Sequence, residues 1–153
     1  MTDFFDPKTL EIFGQLALAA FLGLLVGIER RMAYKFAGMR THALVAMGSA
    51  LFSIVSSVLS GPTIDPTRIA AQVVTGIGFL GAGIIVFQDS KVRGLTTAAG
   101  IWSIAAIGMA VGFKLYAVAI FATVVQILIF MILWPIEERF FKRPRGEEKS
   151  DSD

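Results

Sequence analysis

Apolar residues run in five long blocks separated by short polar or charged breaks. A helix needs roughly 20 mostly apolar residues to cross a bilayer. The pattern predicts spans over about 12–28, 41–58, 69–87, 97–111 and 115–136, a polar start at 1–11 and a charged tail at 137–153. In the start, Asp3, Asp6 and Glu11 stand against Lys8 alone. A signal peptide opens on a basic region, so the first span is expected to be retained.

Each block has its own character. The first carries Gly23-x-x-x-Gly27, the small-residue spacing of a helix contact, and stops at Glu29-Arg30-Arg31. In the second, His42, Ala46, Ser49, Ser53 and Ser57 fall three or four apart and share one helix face, expected to meet protein or a narrow polar seam. Ser60-Gly61-Pro62 ends it, and Asp65-Pro66 reads as a helix cap with proline at the first helical position.

The third block holds Gln72, Thr75, Gly76, Gly78, Gly81 and Gly83. So many glycines predict a helix wedged between neighbours as the inner wall of a bundle, since small residues let backbones approach where lipid supplies no drive between helices. Gly76-x-Gly78-x-x-Gly81 also fits the dinucleotide-binding pattern, which needs an acidic residue about 20 positions on. The window from Thr97 to Trp102 has no Asp or Glu, so packing is the better reading.

The fourth block is short and rich in Ala and Gly, including Gly108 and Gly112, which suits a buried helix. The fifth is bulky and aliphatic, reads as the most lipid-exposed, and puts Trp134 where an interfacial aromatic belongs.

Composition agrees with a membrane setting. Of 153 residues, 55% are hydrophobic and 17% charged, with mean hydropathy +0.70. A soluble domain carries about 25% charged residues. The fold class predicted is an all-α membrane protein, a five-transmembrane-helix bundle. The absence of Cys removes the commonest structural zinc ligand, the single His42 makes a histidine metal cluster impossible within one chain, and no metal or cofactor is expected. No nucleophile is paired with a base, so no catalytic residues are assigned. The net charge of +2 comes from Lys and Arg near span ends, with no contiguous basic face for nucleic acid. One side of a five-span chain collects Lys8, Arg68 and Lys114, three cations, and the other collects eleven. The positive-inside rule puts the eleven in the cytoplasm, with the N-terminus outside and the tail inside.

Four ordered stretches, LGLLVGIERR at 22–31, AGMRTHALVAMGSALF at 37–52, DPTRIAAQVVTGIGFLGAGIIV at 65–86 and VRGLTTAAGIWSIAAIGMAVG at 92–112, resemble the MgtC/SapB family of bacterial inner-membrane proteins. The resemblance covers about 12–135. It implies a multi-pass inner-membrane protein of five helices, N-terminus outside, associated with magnesium limitation and survival inside host cells. Some members are described as restraining the F-type ATP synthase and as regulated by small membrane peptides. The family's characteristic polar residues fall here on Glu29 and Arg30, Arg40 and Thr41, Asp65 and Arg68, Gln72, and Arg93 with Thr96 and Thr97. Better-studied members carry a soluble domain after the last helix, and some have Asn where this chain has Thr96. The chain looks like the shorter branch.

The candidate residues admit two readings each. Glu29 with Arg30, Arg31 and Arg40 is either an interfacial anchor or a lock in which Glu29 pairs with Arg40 or Arg93 across helices. Asp65 and Arg68 are either a helix cap and its neighbour or an ion entrance. Gln72 is the best candidate for an interhelical hydrogen bond, and His42 is either a solvated boundary residue or a reporter of pH. The expected partners are the lipid bilayer, a second copy in a homodimer using Gly23/Gly27, Gly108/Gly112 and the third helix, and a further membrane protein. The function expected is non-enzymatic action through helix contacts, with a small oligomeric cation transporter as the alternative.

Overall fold

The computed structural model describes residues 6–59, 65, 67–88 and 91–141. The turn expected at 60–62 and the tail beyond 141 lie outside them. Five helices are formed among the described residues: α1 (Pro7–Met32), α2 (Met39–Val58), α3 (Thr67–Ile84), α4 (Leu95–Gly112) and α5 (Tyr116–Phe141). A short antiparallel ribbon, β1 (Val86–Gln88) and β2 (Lys91–Arg93), joins α3 to α4.

Four of the helices, α1, α2, α4 and α5, are long and apolar enough to cross a membrane, and α3 contributes a shorter apolar stretch over 68–84. At 1.5 Å per residue α3 rises about 27 Å, close to the thickness of a hydrocarbon core.

Contacts between elements fix their directions. Gly23 meets His42 while Gly27 meets Met39, so α1 and α2 run antiparallel. Gly108 meets Ala46 and Gly112 meets Ala50, so α2 and α4 run parallel. Gln15 reaches Tyr116, and Arg30 lies on Phe130, so α1 and α5 are parallel. Gly81 faces Ala98 and Gly94 lies against Ile84, so α3 opposes α4. The ends of α1, α3 and α5 therefore gather with the starts of α2 and α4.

The centre of the bundle is α4, which packs against α1, α2, α3 and α5. Its Ala and Gly positions explain this, because thin side chains let four neighbours close around one axis. Ile101, Ile104, Ile107 and Val111 fill the space between them. α5 carries an outward aliphatic face, with Phe121 70% exposed.

The expectation that α3 is the inner wall is corrected here. Only Ala70 and Ile77 of this helix are buried hydrophobics, and α3 lies at the edge against α4 and α2. A Cβ built on Gly76, Gly78 or Gly83 would meet nothing within 4 Å, and at Gly81 it would only touch Ala98 Cβ at 3.7 Å. The inner position is taken by α4 instead.

The third span also ends earlier than expected. The helix stops at Ile84, and Val86 and Phe87 pair with Arg93 and Val92. Residues of the Val and Phe type favour extended backbone where little packing holds them helical. Gly94 then turns the chain into α4 at φ +90, and a side chain there would strike the Ile84 carbonyl oxygen at 2.3 Å.

α1 begins at Pro7 and runs to Met32, past both expected ends of its span. It closes on a left-handed residue, Tyr34 at φ 55, with Lys35 N–H donating to the Arg30 carbonyl at 3.0 Å. Glycine takes this position without the Cβ clash. Tyr34 is 94% exposed and gives up no packing when replaced. Tyr34→Gly should therefore stabilise the protein by about 1 kcal/mol, a rise of roughly 2–4 °C in a thermal melt in detergent.

Candidate functional site

Among the described residues, the most enclosed charged group sits where α1 ends against α5. Along α1, the buried residues Ala19, Gly23, Val26 and Arg30 recur every three or four positions, so Arg30 continues the face that meets the other helices. Arg30 is 3% exposed. Its Nη2 donates to Glu29 Oε1 at 2.7 Å and its Nε donates to Glu29 Oε2, a two-pronged pairing of fork and carboxylate. The guanidinium carbon stands 3.5 Å from the centre of the Phe130 ring, so the cation also rests on the negative face of an aromatic. One charged side chain thereby ties α1 to α5.

Beside it, the start of α2 is pressed onto α1. A Cβ on Gly27 would meet Met39 Cα at 2.5 Å, and one on Gly23 would meet the His42 carbonyl oxygen at 2.4 Å. His42 is fully buried; its Nδ1 lies 2.9 Å from the Gly38 carbonyl oxygen. Its Nε2 has no hydrogen-bond partner among the described residues. His42 is thus a core residue, and the expectation of a solvated boundary histidine is not met. Ala46, Ser49 and Ser53 of the same face are buried with it, whereas Ser57 is exposed. The Ser53 hydroxyl donates to the Ser49 carbonyl at 2.9 Å, which satisfies it inside its own helix.

The remaining candidates separate. The salt bridge of Glu29 is to its neighbour Arg30, and Arg40 and Arg93 are both exposed, so the lock across helices one, two and four is not formed. Thr41 and Thr96 are exposed, and Thr97 is buried. Asp65, Arg68 and Gln72 line a cavity of about 530 Å³ at the start of α3. Gln72 also lines an apolar groove of about 510 Å³ between α2 and α3, bounded by Leu44, Gly48, Phe52 and Gly76. The interhelical hydrogen bond expected of Gln72 is not made to any described residue. Thr75 donates to the Ala71 carbonyl at 3.3 Å, within its own helix.

Gln15 and Gln126, which sequence reasoning passed over as candidates, make the helix-bridging bonds. Gln126 Nε2 donates to the Gly100 carbonyl at 3.0 Å while its Oε1 accepts from Ser103 Oγ at 3.1 Å, joining α5 to α4. Gln15 Nε2 donates to the Tyr116 hydroxyl at 3.2 Å and lies 3.4 Å from the Val111 carbonyl oxygen. The available signal was a glutamine at membrane depth, which is expensive unless paired. At the opposite end, Lys114 Nζ and Glu11 pair at 2.8 Å in the open, and that carboxylate holds the ammonium above its ordinary pKa.

Apolar helices packed by glycine, with charges paired inside and glutamines bridging spans, define a multi-pass membrane protein. The sequence pattern of the MgtC family matches residues 16–139. The chain belongs to the MgtC family. It is 44% identical over 142 residues to the Escherichia coli K12 protein named "Putative magnesium transporter YhiD", covering 88% of this chain and 66% of that one. It is 50% identical over 121 residues to Protein MgtC of Brucella abortus, covering 79% and 50%. It is 44% identical over 133 residues to Protein MgtC of Salmonella typhimurium, covering 87% and 57%. The chain thus spans half to two thirds of the length of these relatives. No solved structure matches it.

Proposed function

We propose that this protein is a non-enzymatic inner-membrane protein of magnesium or stress adaptation that acts through helix–helix contacts, with itself or with a membrane partner. The observation that carries this reading is where its polar groups go. Arg30 is spent on Glu29 and Phe130, and Gln15 and Gln126 are spent bridging helices, while one whole helix, α3, keeps an open small-residue face. The magnesium link draws on the name of the Escherichia coli relative. The orientation is N-terminus outside, because the end gathering Arg30, Arg31, Lys35, Arg40, Lys91 and Arg93 carries most of the cations.

A second reading, a small oligomeric cation transporter, is favoured by the same relative's name and by the cavity that Asp65, Arg68 and Gln72 line. Reconstituted vesicles separate the two. Vesicles silent to magnesium and protons, from protein that still supports growth of a relative-deleted strain at limiting magnesium, support the first. Flux abolished by Asp65→Asn supports the second and overturns the first.

A further inference from the structure

We propose that the ribbon β1–β2 is a lipid-binding blade, laying Phe87 and Val92 against the bilayer and holding Lys91 and Arg93 to anionic headgroups at its surface. The proposal needs only the membrane-spanning bundle. Which side of the membrane the ribbon occupies rests on the orientation inferred above.

The register of the ribbon sorts its side chains. In an antiparallel pair, residues opposite each other share a face, and neighbours along a strand point to opposite faces. Phe87 pairs with Val92, so both stand on one face. Val86 with Arg93, and Gln88 with Lys91, stand on the other. One face is therefore wholly apolar, while the other carries two cations and an amide beside Val86. The bundle covers neither face: all six residues are exposed, Phe87 by 74%. No ion pair holds Lys91 or Arg93 among the described residues. Asp89, between the strands in sequence, lies outside them.

Where the ribbon sits decides what meets these faces. The 18 residues of α3 rise about 27 Å and a hydrocarbon core is about 30 Å thick, so β1 begins at the edge of the core. The apolar run continues past the helix through Ile85, Val86 and Phe87. β2 then leads directly through Gly94 into α4. Both ends of the ribbon are thus tied to spans, which keeps it at the surface. Its outer edges carry backbone N–H and C=O groups that no described strand pairs, and this bars it from the hydrocarbon itself. The headgroup layer meets both demands, because it hydrates the edges and takes an aromatic ring at its inner boundary. Phosphates lie at the height of the backbone, and they match the charge of Lys91 and Arg93, whose long stems let the cations reach them.

The chain contains no Cys, so single cysteines report cleanly on exposure. In purified protein in nanodiscs that contain anionic lipid, a membrane-impermeant maleimide should label Gln88→Cys and Lys91→Cys quickly. Phe87→Cys and Val92→Cys should label slowly. The bundle itself leaves Phe87 and Val92 open, so this alternation reports the bilayer. A bimane on Phe87→Cys should be quenched more by brominated anionic lipid than by brominated zwitterionic lipid at equal mole fraction. Lys91→Gln and Arg93→Gln should each cut that preference roughly 5-fold, and the two together roughly 30-fold, with thermal melting unchanged. Equal labelling at all four positions overturns the proposal. So does protection seen in cells but lost in nanodiscs, which assigns the apolar face to a protein partner. Quenching indifferent to both charge variants also overturns it. Labelling of Lys91→Cys from outside intact cells overturns the inferred orientation alone, and alternation found there still supports the blade.

Discussion

Gly108→Leu will insert into the membrane and fail to form the bundle. A Cβ at this position would lie 2.1 Å from the Ala46 carbonyl oxygen, 2.8 Å from its carbonyl carbon and 2.9 Å from its Cα. All three are backbone atoms of α2, so no rotamer change can clear them. One turn on, a Cβ at Gly112 would meet the Ala50 carbonyl oxygen at 2.5 Å, so α2 and α4 are held backbone to backbone over two successive contacts. Separating them moves α4, and α4 is what the other four helices pack on. Overpacking a well-filled core costs about 1–3 kcal/mol for a small increment. Gly108→Ala should reach the top of that range, and leucine should exceed the whole stability of an ordinary domain, on the order of 5–15 kcal/mol. The check is a thermal melt and limited proteolysis in detergent. Gly108→Leu should be digested at the melting baseline while Gly76→Leu melts like the parent. Equal behaviour of the two would mean that α2 and α4 are not in this contact.

The same contrast shows what was legible in the sequence. Hydropathy marked out all five helices, because burial in lipid demands an unbroken apolar run whatever the neighbours are. The Ala and Gly run of α4 also announced a thin, enclosed helix. What could not be read was the destination of each glycine. Gly23, Gly27, Gly108 and Gly112 were expected to serve a second copy, yet all four lie against their own chain. Gly76, Gly78 and Gly83 were expected to be enclosed, yet a Cβ on any of them would find open space. Small-residue spacing says that a backbone can come close; it carries no information about which backbone. The ribbon of Val86–Gln88 and Lys91–Arg93 was missed because three residues per strand are too few for an alternating pattern to show. Arg30, by contrast, was readable in finer detail. It looked like part of a charged boundary, but it keeps the phase of Ala19, Gly23 and Val26, and its neighbours Glu29 and Arg31 do not.

That phase makes Arg30 the side chain whose loss should be felt most among the polar ones. Breaking a buried ion pair by removing one partner costs about 3–5 kcal/mol, because the remaining charge stays without compensation. Glu29 keeps 16% exposure and can be partly hydrated, so Arg30→Ala belongs at the low end, about 3 kcal/mol. Arg30→Lys should recover little. A lysine keeps the charge but has no planar fork for both Glu29 oxygens and no flat face to lay on Phe130. Arg30→Met combined with Glu29→Gln should be far less damaging than Arg30→Met alone, since no charge is left unpaired and the apolar stem still packs. Denaturant titrations in mild detergent on the two single variants and the double give the coupling. A coupling well below 1 kcal/mol would show that Arg30 and Glu29 act independently. Phe130→Leu supplies the remaining distinction, because it removes the ring under the cation and leaves the ion pair intact. Its cost on top of lost packing measures how much of the α1–α5 contact the aromatic face carries, about 0.5–2 kcal/mol for a partly desolvated cation.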